Sequence, residues 1–139
     1  MERTESPLSP WMHRVLKFAG VYNIVAGLSM MILYHEGFKA LGLPKPEFNM
    51  PIQLVGVLVA IFGVGYLIVD RNPVENRNVL LLGLLSKFLG PMLAFYYVAN
   101  GVLPLVMLVV LFFADIIYWV PFWLIYQRIK KSPSPSSSV

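Results

Sequence analysis

This sequence predicts an all-α integral membrane protein, a four-helix bundle, and three observations carry the prediction. Hydrophobic residues make up 58% of its 139 residues and charged residues only 13%, where a soluble domain has about 45–50% and about 25%. The apolar residues gather in four runs of about 20, the length a helix needs to cross a hydrocarbon core of about 30 Å. Short polar stretches separate the runs. The chain also has no cysteine, which excludes disulfides, thiolate metal sites and iron–sulfur clusters. Its net charge of +4 is scattered along the chain, so no nucleic acid is expected as a partner.

The runs place spans at 15–34, 52–69, 79–98 and 104–126 within one domain, 15–131, between an N-terminal segment 1–14 and a tail 132–139. The first run is too long for a cleaved signal peptide and no small-residue cleavage site follows it, so it is expected to stay. The loop 35–51 carries Pro44, Pro46 and Pro51, and its Phe38, Leu41 and Leu43 can rest on the bilayer surface. The second span has a small-residue face of Gly56, Ala60 and Gly63. Asn72-Pro73 ends it, and Asn76 or Asn78 can cap the third. Asp70, Arg71, Glu75 and Arg77 read as a solvated, salt-bridged turn. Residues 99–103 form a tight hairpin, which makes spans three and four antiparallel neighbours. Pro104 suits a first helical position, whereas Pro121 should kink the fourth span near its inner end. The serine- and proline-rich tail has nothing to bury and is expected to be disordered.

Charge sets the expected orientation. The side of the termini and the 70–78 loop carries Arg3, Arg14, Lys17, Arg71, Arg77, Arg128, Lys130 and Lys131, and the other side carries Lys39 and Lys45. The positive-inside rule then puts both termini in the cytoplasm. Trp11, Tyr34, Tyr66, Trp119, Trp123 and Tyr126 lie towards span ends, where an aromatic belt would hold them.

Two charges lie inside the spans. Lys87 is 11 residues before Val98, and Asp115 is 11 residues after Pro104. Both are then roughly 16 Å from one membrane face, at the same depth on neighbouring helices. An isolated charge there costs about 2.5–3.5 kcal/mol on insertion scales, so the two are expected to face each other as an ion pair. Lys87 shares a face with Gly83, Gly90 and Ala94; Asp115 shares one with Phe112, Tyr118, Trp119 and Phe122. Gly83, Gly90, Phe112 and Trp119 are therefore expected to line a pocket around the pair. Pro91 frees the carbonyl of Lys87. Asn23, between Gly20 and Gly27, is expected to bring its amide to the same place.

The pair has two readings. It serves only to lock helix pairing, or it lines a site for an ion, a proton or a small polar solute. Little other chemistry is legible. His13 and His35 are 22 residues apart, roughly 33 Å along one helix, too far to share a metal. No nucleophile–base arrangement, phosphate loop or paired carboxylate stands out. Neither a catalytic residue nor a metal centre is expected, and no cofactor is evident. The aromatic stripe Phe112, Trp119 and Phe122 could still hold the chain of a bound lipid or quinone.

One stretch resembles a known family. Leu41-Gly42-Leu43-Pro44-Lys45-Pro46, the polar Gln53, the glycines Gly56, Gly63 and Gly65, and the charged turn at Arg71 are similar to the DoxX-like group of small four-span bacterial membrane proteins. The resemblance covers roughly residues 20–90. It departs at Gln53, where that family usually has an acidic residue. It implies a bacterial inner membrane and an accessory role in quinone-linked or other membrane oxidoreductase assemblies. Two functions are thus expected in order: binding or transport of a small solute, ion or proton at the Lys87–Asp115 pair, alone or as a homodimer, and then a non-catalytic subunit of a larger membrane complex. An enzyme is the least expected outcome.

Overall fold

The computed structural model describes residues 6–132 and is helical, with no strand among those residues. The elements are α1 (Pro10–Ile32), α2 (Tyr34–Ala40), α3 (Met50–Arg71), α4 (Arg77–Ala99), α5 (Val106–Ala114), a 3₁₀ turn at Ile116–Tyr118 and α6 (Trp119–Lys130). Four stretches are long and apolar enough to cross a membrane: α1, α3, α4 and the composite Val106–Lys130. The tail expected to be disordered lies, apart from Ser132, outside the described residues.

α1 and α3 form an antiparallel ladder with a seven-residue step. His13 of α1 meets Asp70 at the end of α3, their side chains 2.6 Å apart. One step along, Gly20 meets Gly63: a Cβ added to Gly63 would fall 2.6 Å from the Gly20 carbonyl oxygen. A further step brings Gly27 onto Gly56, where a Cβ added to Gly56 would fall 2.6 Å from the Gly27 carbonyl. The last rung joins the far ends: the Asn49 amide donates to the Tyr34 hydroxyl at 2.9 Å. A repeat of seven keeps one face of a helix on its partner through a left-handed supercoil. Glycine at the two middle rungs lets the backbones touch, which is how helices associate in lipid, where no hydrophobic effect drives them together.

The loops differ from expectation in two places. The 35–51 stretch contains most of a helix, α2, that is followed by Gly42 with φ +68°. The Leu43 N–H reaches back to the Phe38 carbonyl and the Gly42 N–H to Lys39, a left-handed glycine stop. The helix is only seven residues long and carries Gly37, and the prolines that follow it mark the stretch as a loop. The 72–76 turn is not internally salt-bridged. Asp70 faces His13 and Lys17 of α1, the latter at 3.9 Å, because the ladder aligns the end of α3 with the start of α1. Asn76 precedes α4, but its amide bonds the Asn72 carbonyl instead of capping the helix. The 99–103 hairpin is present, with Gly101 at φ +74° and Val102 bonding back to Tyr97.

The buried cluster fills the end of the bundle that holds the termini. Leu16, Tyr66, Val69, Leu80, Phe122, Ile125 and Ile129 are its centre. Tyr66 is therefore a core residue and not part of an interfacial belt. It packs edge-on against Phe122, with ring centroids 5.0 Å apart, and lies flush on Gly83 of α4.

Candidate functional site

α4 and the fourth span each break their backbone pattern at the same depth, and each supplies what the other lacks. α4 passes through Pro91 without stopping. Proline has no N–H, so the Lys87 carbonyl four residues earlier loses its helical partner. The indole N–H of Trp119 donates to that carbonyl at 2.7 Å. The fourth span stops at Asp115, whose backbone (φ −131°, ψ −53°) has left the helix. The Tyr118 N–H then bonds the Asp115 carbonyl at 3.1 Å, whereas an unbroken helix would send it to Ala114. The freed Ala114 carbonyl accepts from the Lys87 ammonium at 2.9 Å. In lipid an unpaired carbonyl costs several kcal/mol, so irregular backbone persists only where protein satisfies it.

Pro121 explains the break. Its ring crowds the Ile117 carbonyl and it cannot donate to it. The chain tightens into the 3₁₀ turn and restarts as α6 with Pro121 in the first turn, where an N–H is not needed. The break falls nearly two turns before Pro121, deeper in the span than the inner end where sequence alone places it, and that displacement puts Asp115 at the gap.

Lys87 is 4% exposed and has spent all three of its N–H donors. It donates to Asp115 Oδ1 at 3.2 Å, to the Ala114 carbonyl at 2.9 Å and to Asn23 Oδ1 at 3.4 Å. Three is what an ammonium has. The charge also lies over aromatic rings, 4.7 Å from the centroid of Tyr118 and 5.9 Å from that of Tyr66, where the ring quadrupole attracts a cation. Asp115 is unlike it. Its side chain is 25% exposed, and Oδ2 has no hydrogen-bond partner among the described residues. The lysine side of the pair is closed, and the carboxylate side keeps one acceptor open.

The expected locus of Asn23, Lys87 and Asp115 is thus assembled in the structure. The expected lining is corrected in part. Gly83 is buried, but the side chain over it is Tyr66 of α3, not an aromatic of the fourth span. Gly90 faces outward with nothing over it, because the inward stripe of α4 runs Leu80, Gly83, Lys87, Pro91. Phe112 also points outward. Trp119 does reach the pair, as a hydrogen-bond donor. Sequence reasoning misses Tyr66, Tyr118 and the Ala114 carbonyl as partners of the ammonium. Pro121, six residues after Asp115, is the available signal for the last of these.

A second arrangement is not legible in the sequence at all. Ser6 Oγ lies 2.8 Å from His13 Nε2, and His13 Nδ1 lies 2.6 Å from Asp70 Oδ1. Ser6, His13 and Asp70 come from three separate segments. The serine oxygen also accepts the Leu8 N–H, so the row ties the N-terminal segment over the first rung of the ladder and helps bury Leu8 and Met12.

Compared with models of known protein families, with curated proteins and with solved structures, the chain matches none.

Proposed function

We propose that this chain is a small multi-pass membrane protein that binds or transports a proton, ion or small solute at the Lys87–Asp115–Asn23 locus. The observation that carries the reading is the asymmetry of the pair. Every donor of Lys87 is engaged within the protein, while Asp115 keeps Oδ2 free and partly exposed beside a helix break. Such a site offers a negative acceptor beside an ammonium that is already engaged. It therefore suits a proton, a small cation or a ligand that donates hydrogen bonds. Protonation of Asp115 would weaken its hold on Lys87 and give two states of the junction.

The seven-to-two excess of described Lys and Arg on the terminal side supports cytoplasmic termini. The DoxX-like resemblance supports a bacterial inner membrane and the second reading, an accessory subunit of a quinone-linked complex. That reading requires a fixed partner, so purification from the source membrane in mild detergent would co-isolate one.

The test of the first reading is uptake into proteoliposomes loaded with a pH-sensitive dye or with a labelled cation. Lys87→Met with Asp115→Asn removes both charges and leaves neither unpaired; it is expected to fold, less stably because the Ala114 carbonyl loses its donor, and to be inactive. Unchanged uptake by that double variant sinks the proposal. Folded wild-type protein that moves nothing, with a stoichiometric partner in the membrane, favours the accessory reading.

A further inference from the structure

A second site lies beside the ion pair. α1 is drawn onto α3 by the glycine ladder, and the broken fourth span leans on α4, so α1 and the fourth span are left with a partly open cleft of about 430 Å³ between them. Its walls are Phe18 and Tyr22 on one side and Phe113, Ile117 and Pro121 on the other, almost wholly carbon, and Arg14 stands at one end. Neither Lys87 nor Asp115 lines it, but Tyr118 does, and its ring lies 4.7 Å from the Lys87 ammonium, so the cleft adjoins the ion-pair locus without including either charge.

The shape limits the occupant. Arg14 and Tyr22 are eight residues apart on α1, about 12 Å along the axis. The cleft therefore runs from the terminal-side surface towards the middle of a core of about 30 Å, the reach of one leaflet. A partly open groove of about 430 Å³ over that length accommodates a hydrocarbon chain lying along it.

Charge selects the head group. Arg14 makes no ion pair or hydrogen bond among the described residues, while its neighbours His13 and Lys17 are both directed at Asp70. Arg128 lies two turns beyond Pro121 on the facing segment, towards the same end of the bundle. Described charges on this side are Arg14, Lys17, Arg71, Arg77, Arg128, Lys130 and Lys131 against Asp70 and Glu75; on the far side Lys39 and Lys45 balance Glu36 and Glu47.

We propose that the cleft between α1 and the fourth span binds one anionic phospholipid, an acyl chain lying between Phe18 and Ile117 and the phosphate held by Arg14. The test is native mass spectrometry of the full chain in detergent, titrated with dioleoylphosphatidylglycerol or dioleoylphosphatidylcholine. Wild type is expected to retain one phosphatidylglycerol in preference to phosphatidylcholine. Arg14→Gln should lower that binding roughly fivefold, the loss of one basic contact at a charged surface, to the phosphatidylcholine level. Ile117→Trp should fill the cleft and lower binding of both lipids. Arg71→Gln, on the same side but outside the cleft, should change nothing. Phe113→Trp is a second filling variant should Ile117→Trp fail to fold by circular dichroism. Equal retention of the two lipids by wild type overturns the proposal, as does equal loss in Arg14→Gln and Arg71→Gln, or wild-type binding in a folded cleft-filling variant. A lipid-free dimer does the same.

Discussion

The two halves of this bundle place their polar groups in opposite ways. The α1–α3 ladder has polar rungs at its ends, His13–Asp70 and Tyr34–Asn49, and glycine rungs, Gly20–Gly63 and Gly27–Gly56, in the middle. The junction of α4 with the fourth span puts Lys87, Asp115 and Trp119 in the middle. At its ends it has an ordinary hairpin and a buried apolar cluster. The first arrangement follows the bilayer: polar groups sit near water, and hydrocarbon is crossed by close backbone packing. The second runs against the bilayer and requires two helix irregularities that satisfy each other. A bundle needing only to hold together could be built from ladders. The midplane polar junction is the part that stability alone does not require, which is why the proposed function lies there.

The contrast can be broken by mutation. The largest effect should come from Asp115→Leu, which leaves the Lys87 charge buried without a counter-charge. Breaking one side of such a pair costs about 3–5 kcal/mol, read as loss of unfolding free energy in bicelles, and Lys87→Met in the same chain should restore most of it. A cost below about 1 kcal/mol for the single variant would mean that water reaches the pair and the junction is a hydrated cavity. Next comes Gly63→Leu. Its side chain must displace the α1 backbone, at about 1–3 kcal/mol or more, whereas Gly90→Leu, with nothing within 4 Å, should be close to neutral. Equal effects at the two glycines would remove the ladder as an explanation. Trp119→Phe should cost about 1–3 kcal/mol by leaving the Lys87 carbonyl unpaired. Adding Pro91→Ala gives that carbonyl a backbone donor again and should erase the penalty. The smallest effect is expected at the end rungs: His13→Ala should cost less than about 1 kcal/mol, because water near the membrane surface can replace its contacts. A larger loss there would mean that the end rungs, and not the glycines, hold the ladder.

Much of the site is legible in the chain itself. Lys87 and Asp115 stand at equal distances from one hairpin, and a hairpin fixes relative depth, so counting residues is enough to pair them. Asn23 is recognisable as a polar residue at mid-span, although the glycines that flank it pack on α3. A helical wheel misplaces Gly90 and Phe112 because it assumes an unbroken helix and a broad face, and the fourth span is not continuous. Tyr66 reads as an interfacial residue because its position near a span end says nothing about which side of the helix faces Gly83. The ladder is also present in the sequence, as a repeat of seven through His13, Gly20, Gly27 and Tyr34 and another through Asn49, Gly56, Gly63 and Asp70. Only its glycine faces are recognisable there, since nothing in one helix reveals its register against another.

The sequence by itself determined the four spans, the hairpin between the last two, the absence of cysteine and the equal distance of the two buried charges from that hairpin. These depend on composition and on distance along the chain, which are local quantities. Tertiary structure decided the register of α1 on α3, the exchange of Trp119 and Lys87 between two freed carbonyls, the open oxygen on Asp115 and the cleft beside α1. Each of these depends on which groups from distant segments reach one point in space, and that is set by packing between helices.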